Sequence, residues 1–303
     1  VSIFNVHVAQ ATASFLGWFL VFYLYHGLGT TLGYHRLLTH KALRVPRWVK
    51  YFFVSGGYLG LMGAPIPWVG VHRLHHQKSD SAGDPHSPRD GFKHSLYEWM
   101  GEMKQYQTTE ELLAQTPDLL TDKGLTWLGT HHDSDQGKMC LALAIAFRVL
   151  IYFTLGLIPL LANLAATFGS FWSTQFVNVF CHMPNQGYRT HETRDASRNV
   201  WWVAILALGE GWHNNHHAIP KSARHGMTFF EVDITWITIC LLEKLGWATD
   251  IVRPTVVSKL NMDAIKAKVS DAVASNISKV NSEVSAGLEQ AQLEPVAAYN
   301  KND

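Results

Sequence analysis

The chain has 303 residues, a formal net charge of +1, and 16% charged against 47% hydrophobic residues. That near-neutral balance excludes a nucleic-acid footprint, which needs concentrated Lys and Arg, and a charged share below the usual ~25% points to a membrane. Three widely spaced cysteines (Cys140, Cys181, Cys240) form no C-x-x-C pair, which excludes a disulfide framework and a thiolate zinc site.

From Val1 to Tyr34 there is no Asp, Glu, Lys or Arg, and Ala11 to Tyr34 is long enough to span a bilayer. His7 and His26 in that region are assigned to helix packing. His35 and His40 follow at its end, in His-Arg-Leu-Leu-Thr-His. Tyr51 to Pro67 is a shorter apolar stretch rich in glycine (Gly56, Gly57, Gly60, Gly63), and it precedes a second cluster, His72, His75 and His76. A single crossing between the clusters would put them on opposite faces. If they form one site, Tyr51 to Pro67 is an embedded or interfacial element.

Gln77 to Lys138 is polar and is expected to form a cytoplasmic-side lobe. Met139 to Cys181, with Arg148 as its only charge, suits two spans turning near Pro159 to Asn163. Val200 to Leu208 is too short to span, so a third cluster, His213, His216 and His217, stays on the same face. The expected fold class is therefore an all-α integral membrane protein, multi-pass, with transmembrane helices capped by a cytoplasmic helical lobe that carries the site. Residues 1–254 form this membrane domain. Residues 255–303 are a polar tail in which Ile265, Val269, Val273, Ile277, Val280, Val284 and Leu288 mark a thin amphipathic helix.

On a helix, positions i, i+3 and i+4 share a face, so each H-x-x-H-H points three imidazoles one way. A lone histidine is usually structural, but surface chemistry does not explain the pattern occurring twice. Eight imidazoles exceed the roughly four ligands one ion takes, so two metals are expected, and imidazole leaves the element open. His35 and His40 are five apart, about 140° on an α-helical wheel, which leaves them free to serve different ions. Asn178 and His182, one turn apart, are further candidate donors. Glu210, Asp80 and Asp84 are carboxylates placed to accept the free imidazole N–H groups and fix their tautomers.

These residues resemble a known family. His-Arg-Leu-Leu-Thr-His, then His-Arg-Leu-His-His with Asp84-Pro85-His86, then Gly-Glu-Gly-Trp-His-Asn-Asn-His-His are similar to the three histidine boxes of membrane fatty-acid desaturases of the stearoyl-CoA desaturase type, over about residues 15 to 230. The resemblance implies two iron ions held by nine histidines, His182 being the ninth, with Asn178 contributing through a water. It further implies O2-dependent insertion of a cis double bond, delta-9-like, into a saturated acyl chain carried by CoA or a lipid. Electrons would come from an external donor of ferredoxin, rubredoxin or cytochrome b5 type, and Trp68 would shape a bent substrate tunnel. An Arg-Asp pair that contacts CoA in animal members is replaced here by Gly70 and Val71. The competing expectations are a membrane di-iron hydroxylase or ketolase, and a metal-binding membrane protein without turnover.

Overall fold

The computed structural model describes residues 3–101, 109–130, 134–254, 277–278 and 281–282. The chain divides into two units, Val1–Pro254 and Thr255–Asp303. Among the described residues the regular structure is helical, and extended backbone pairs only in isolated bridges such as Arg44 with Thr249. In the second unit Ile277 is helical and exposed. The rest of the apolar stripe expected over 265–288 lies outside the described residues.

In the first unit α1 (Ile3–Leu28) runs without a break into a π-helix (Gly29–Thr39). The segments Asn5–Thr39 and Gln136–Leu155 are both long and apolar enough to cross a membrane. The most apolar 18-residue window of each is little buried within the chain, 6% and 17%, whereas the π-helical end of the first segment, Gly29–Thr39, is buried throughout. Leu16 and Leu20 on α1 and Phe153 and Phe168 farther along all face outward.

Helix α2 (Arg47–Leu59) would measure about 20 Å at ~1.5 Å per residue, short of the ~30 Å hydrocarbon layer. Its glycines have a packing reason. A Cβ added at Gly29 would stand 2.0 Å from the Gly57 nitrogen, and one at Gly56 would stand 2.3 Å from the Tyr25 carbonyl. Only bare backbone lets α2 lie this close to the start of the π-helix. Helix α3 (Pro65–Lys78) follows, with proline in its first turn where a missing N–H costs no helical bond. The short helices α4 (Thr109–Ala114) and α5 (Lys123–Leu128) belong to the polar lobe. Arg73 ties this lobe to α3, donating to Asp118 Oδ1 at 2.6 Å and Oδ2 at 3.1 Å.

Helices α6 (Ser134–Leu155) and α7 (Leu157–Phe180) meet at Gly156, whose φ of 98° turns the chain. The turn expected at Pro159 to Asn163 is therefore earlier than the sequence indicated. Pro159 sits in the first turn of α7, which tolerates it. Asn163 is a buried packing residue whose Nδ2 donates to His26 Nε2 at 3.0 Å. His26 Nδ1 in turn donates to the Gly56 carbonyl at 2.9 Å, so the assignment of His26 to helix packing holds. Arg148 has partners on both helices, Thr167 Oγ1 and the Ala144 carbonyl, each at 2.8 Å. Further along come α8 (Trp201–Leu206), α9 (His213–Ala218) and α10 (Ile234–Lys244).

Candidate metal centre

The nine histidines named above divide into two groups. His35, His40, His72, His76 and His216 bring their ring nitrogens together at one point, and His75, His182, His213 and His217 do so at another. His35 and His40 serve the same point, contrary to the α-helical wheel, because their segment is a π-helix. In that winding residue i+5 returns over residue i; His40 N donates to the His35 carbonyl at 3.1 Å, and the two Nε2 atoms stand 3.0 Å apart. Box spacing H-x4-H is the one signal that could have announced it. α3 splits its three histidines, His72 and His76 to the first group and His75 to the second. α9 gives His216 to the first and His213 and His217 to the second.

The carboxylates named from sequence lie behind these rings. Glu210 Oε2 is 2.7 Å from His35 Nδ1, Asp84 Oδ1 is 2.8 Å from His75 Nδ1, and Asp80 Oδ2 is 2.9 Å from His182 Nδ1. A fourth carboxylate was not foreseen: Asp195 Oδ2 stands 2.8 Å from His217 Nδ1. Nothing in the local pattern announces it, since it reaches the site from a loop without regular structure. Each carboxylate accepts the Nδ1 proton and leaves Nε2 as a lone pair facing the cluster. His225 also went unnoticed; its ring lies 4.3 Å from that of His216, and its Nδ1 is 3.2 Å from Glu210 Oε2.

The two asparagines of His-Asn-Asn-His-His have structural work. Asn214 Oδ1 accepts from the backbone N–H groups of Thr190 and His191, both at 2.8 Å, and Asn215 Nδ2 donates to the His225 carbonyl at 2.9 Å and to Glu231 Oε2 at 3.1 Å. Arg36, fully buried, donates to Glu210 Oε1 at 3.0 Å, to both Asp233 oxygens and to the Ala223 carbonyl, so all its donors are used. That fork pins Glu210 beneath His35.

Burial, followed by the like charge of neighbouring imidazoles, holds His40, His72, His75, His213 and His216 well below the ordinary range and His76 at about 3. Neutral rings with Nδ1 protonated would set lone pair against lone pair at 2.9 to 3.1 Å across His216–His76, His35–His216 and His182–His213. His75 Nε2 and His217 Nε2 are buried without a hydrogen-bond partner. A cation resolves both problems. Two nitrogens about 2.1 Å from one ion stand about 3.0 Å apart at right angles, and about 3.4 Å apart in a tetrahedron. The donor set thus fits two ions of an imidazole-binding metal.

Beside the first group lies a cavity of ≈ 210 Å³ walled by Leu61, Met62, Trp68, Val71, His72, Trp99, Met100 and Phe171, with Thr174 and Asn178 at its polar side. A smaller one continues past Trp68, His72, Thr174 and Asn178 to His35 and His213. Trp68 stands on the wall common to both, its ring stacked on His72 at 5.2 Å and 13°. Asn178 shares that wall, its Nδ2 donating to Gln175 Oε1 at 3.2 Å.

The model of the family described as fatty acid desaturase matches residues 12–231, which takes in all nine histidines. The chain belongs to the fatty acid desaturase family. It is 40% identical to an sn-1 stearoyl-lipid 9-desaturase of Synechocystis sp., over 80% of this chain and 73% of that protein. The sn-1 stearoyl-lipid 9-desaturase of Anabaena variabilis is 39% identical over 77% of this chain and 81% of its own. Delta-9 acyl-lipid desaturase 1 of Arabidopsis thaliana is 36% identical over 82% and 78% respectively. As a desaturase the protein is an oxidoreductase acting on fatty-acyl chains.

Proposed function

We propose that this desaturase inserts a cis double bond at the ninth carbon of a saturated acyl chain carried on a glycerolipid, using two irons, O2 and an external one-electron donor. The observation that supports it best is the division of nine imidazoles into groups of five and four beside a cavity that is apolar along most of its wall. His35, His40, His72, His76 and His216 would hold one ion; His75, His182, His213 and His217 would hold the other, with Asn178 reaching it through a water. Iron, when bound, supplies the oxidising power that no acid or base side chain can offer against an unactivated methylene. With two electrons and two protons, O2 and the two abstracted hydrogens leave as two waters.

The remaining roles fall to this chain's own side chains. Apolar walls position a chain that offers no polar handle, and Trp68 and His72 bound the place where it meets the histidines. Glu210, Asp80, Asp84 and Asp195 hold the imidazole tautomers. A lipid carrier is favoured over CoA by the relatives, which are stearoyl-lipid and acyl-lipid desaturases, and by the surroundings of Gly70 and Val71. Val71 is buried, and a Cβ at Gly70 would stand 2.9 Å from the Leu112 carbonyl, so α4 packs directly on α3 at the place of the charged pair of animal members. α1, α6 and α7 would cross the bilayer, placing the site on the cytoplasmic side. The donor would be a ferredoxin, rubredoxin or cytochrome b5 type protein.

The test is expression in a host without desaturases, followed by mass spectrometry of intact lipids and of double-bond position. A delta-9 cis product on glycerolipids is expected. A hydroxylated chain would overturn the desaturase chemistry, a product found only on acyl-CoA would overturn the carrier, and a bond at another carbon would overturn the regiochemistry.

A further inference from the structure

The two histidine groups differ in what stands behind them. In the group of four, three rings present Nδ1 to an aspartate: His75 to Asp84, His182 to Asp80 and His217 to Asp195. All three aspartates are buried, and among the described residues their ion pairs are with histidine alone. In the group of five only His35 does so, to Glu210. Glu210 is itself paired with Arg36, which also pairs with Asp233, so that assembly of three carries one net negative charge. Three aspartates with no direct Lys or Arg partner among the described residues thus back one group, and an assembly of one net negative charge backs the other.

Buried charge is weakly screened, and a carboxylate on Nδ1 makes the imidazole a more basic ligand. Both effects favour the more highly charged ion. We propose that the two metal sites are inequivalent: the group of four holds its iron in the ferric state more firmly, one electron added to the diferric protein resides in the group of five, and Asp195 is a positioning residue that sets this difference through His217. The inference rests on the two-iron reading above.

Asp195 is well placed for the role. Its Oδ1 accepts from Ser197 N at 3.0 Å and Thr193 Oγ1 at 2.8 Å, so the carboxylate is fixed before any ion arrives. The next residue, Ala196, donates its N–H to Asp80 Oδ2 at 2.7 Å, so one loop steadies the aspartates behind both His217 and His182.

The experiment loads detergent-purified protein with isotopically enriched iron, counts iron per chain, and adds one electron per chain from dithionite. Each electron converts one ferric ion to ferrous, and Mössbauer spectra are recorded on the half-reduced sample. The expected wild-type spectrum has one ferric and one ferrous component. Asp195→Asn keeps size and an acceptor oxygen but removes the charge, and Asp84→Asn does the same on His75. Both should alter the ferric component and raise the potential at which that ion is reduced, leaving the ferrous component unmoved. Asp195→Glu should restore the wild-type order, and Glu243→Gln, whose exposed carboxylate pairs with Arg253, should change neither component. If Asp195→Asn binds less metal, loss of the single ion that is ferric in the half-reduced wild type supports the proposal. Loss of both ions, a shift in the ferrous component, or two-electron reduction with no half-reduced form would overturn it. Wild-type protein that takes up no iron overturns the two-iron reading itself, a distinguishable result.

Discussion

Trp68 and Arg36 show what single residues contribute at two distances from the chemistry. Trp68 stacks on His72 and bounds both cavities. Replacing it with alanine removes a wall common to both without removing a candidate ligand, so turnover and positional selectivity should fall while iron per chain stays unchanged. Wild-type regiochemistry in Trp68→Ala would return the ring to a packing or interfacial role. Arg36 acts farther out. Arg36→Met strands Glu210 and Asp233 as buried charges, a change that typically costs about 3–5 kcal/mol, and it should lower the melting temperature even of metal-free protein. A melting curve superimposable on the wild type would show that the fork is dispensable.

Legibility at this scale follows chemical type. Six of the nine histidines could be picked out because imidazole repeats at helical spacings are rare, His35 and His40 as a looser pair, His182 by the family resemblance, and Glu210, Asp80 and Asp84 because they sit within a few turns of a box. Asp195 and His225 could not, since what brings them in is the path of two loops. Arg36 lies inside a motif, yet its five donors can be counted only once Asp233 and Ala223 have folded beneath it.

Among the elements, the π-helix is the one whose geometry the site depends on. The extra residue per turn turns His35 and His40 from opposite sides of a wheel into neighbours, and sequence periodicity tuned to ~3.6 misses it. Close packing of the same segment on α2 makes Gly29→Ala a direct test. The added Cβ would stand 2.0 Å from the Gly57 nitrogen, and backbone cannot give way as a side-chain tip can. Overpacking of this kind costs about 1–3 kcal/mol. Gly17→Ala, with open space around it, should cost little by comparison of melting temperatures. The misjudged turn between α6 and α7 has the reverse cause: proline and asparagine are turn formers on average, and here the first helical turn and a buried hydrogen bond absorb them.

The link between lobe and site also has a pH signature. Burial alone would raise the Asp118 pKa, but hydrogen bonds from Arg73 and Lys41 hold it at about 2 against an ordinary 3.8. A depressed carboxylate means that the unfolded chain binds more protons than the folded one between those values, so stability rises with pH across the window. The contribution of Asp118 is complete above about pH 4 and is lost as pH falls toward 2. Melting temperatures taken at stepped acidic pH should fall less steeply for Asp118→Asn than for the wild type. Parallel curves would mean that the Arg73 pair adds nothing to acid stability.

For the whole molecule the decisive question is which ends of the long helices share a face. α7 runs from Gly156 to the residues next to His182. At ~1.5 Å per residue its length is about 36 Å, enough to carry the chain across a ~30 Å hydrocarbon layer. The Gly156 turn should therefore lie on one side of the membrane, and the lobe, with all three histidine clusters, on the other. Single cysteines placed at Leu157 beside the Gly156 turn, at Ser81 in the lobe and at Lys221 after the third box, in a chain whose own three cysteines are replaced by serine, give the test. A membrane-impermeant thiol reagent applied to intact cells should label the Leu157 position alone, and permeabilised cells should label all three. Labelling of Ser81 or Lys221 in intact cells would put the histidines on the outer face. Equal labelling at all three sites would mean that α6 and α7 lie along the membrane, and the hairpin that returns the chain to its histidines would have to be abandoned.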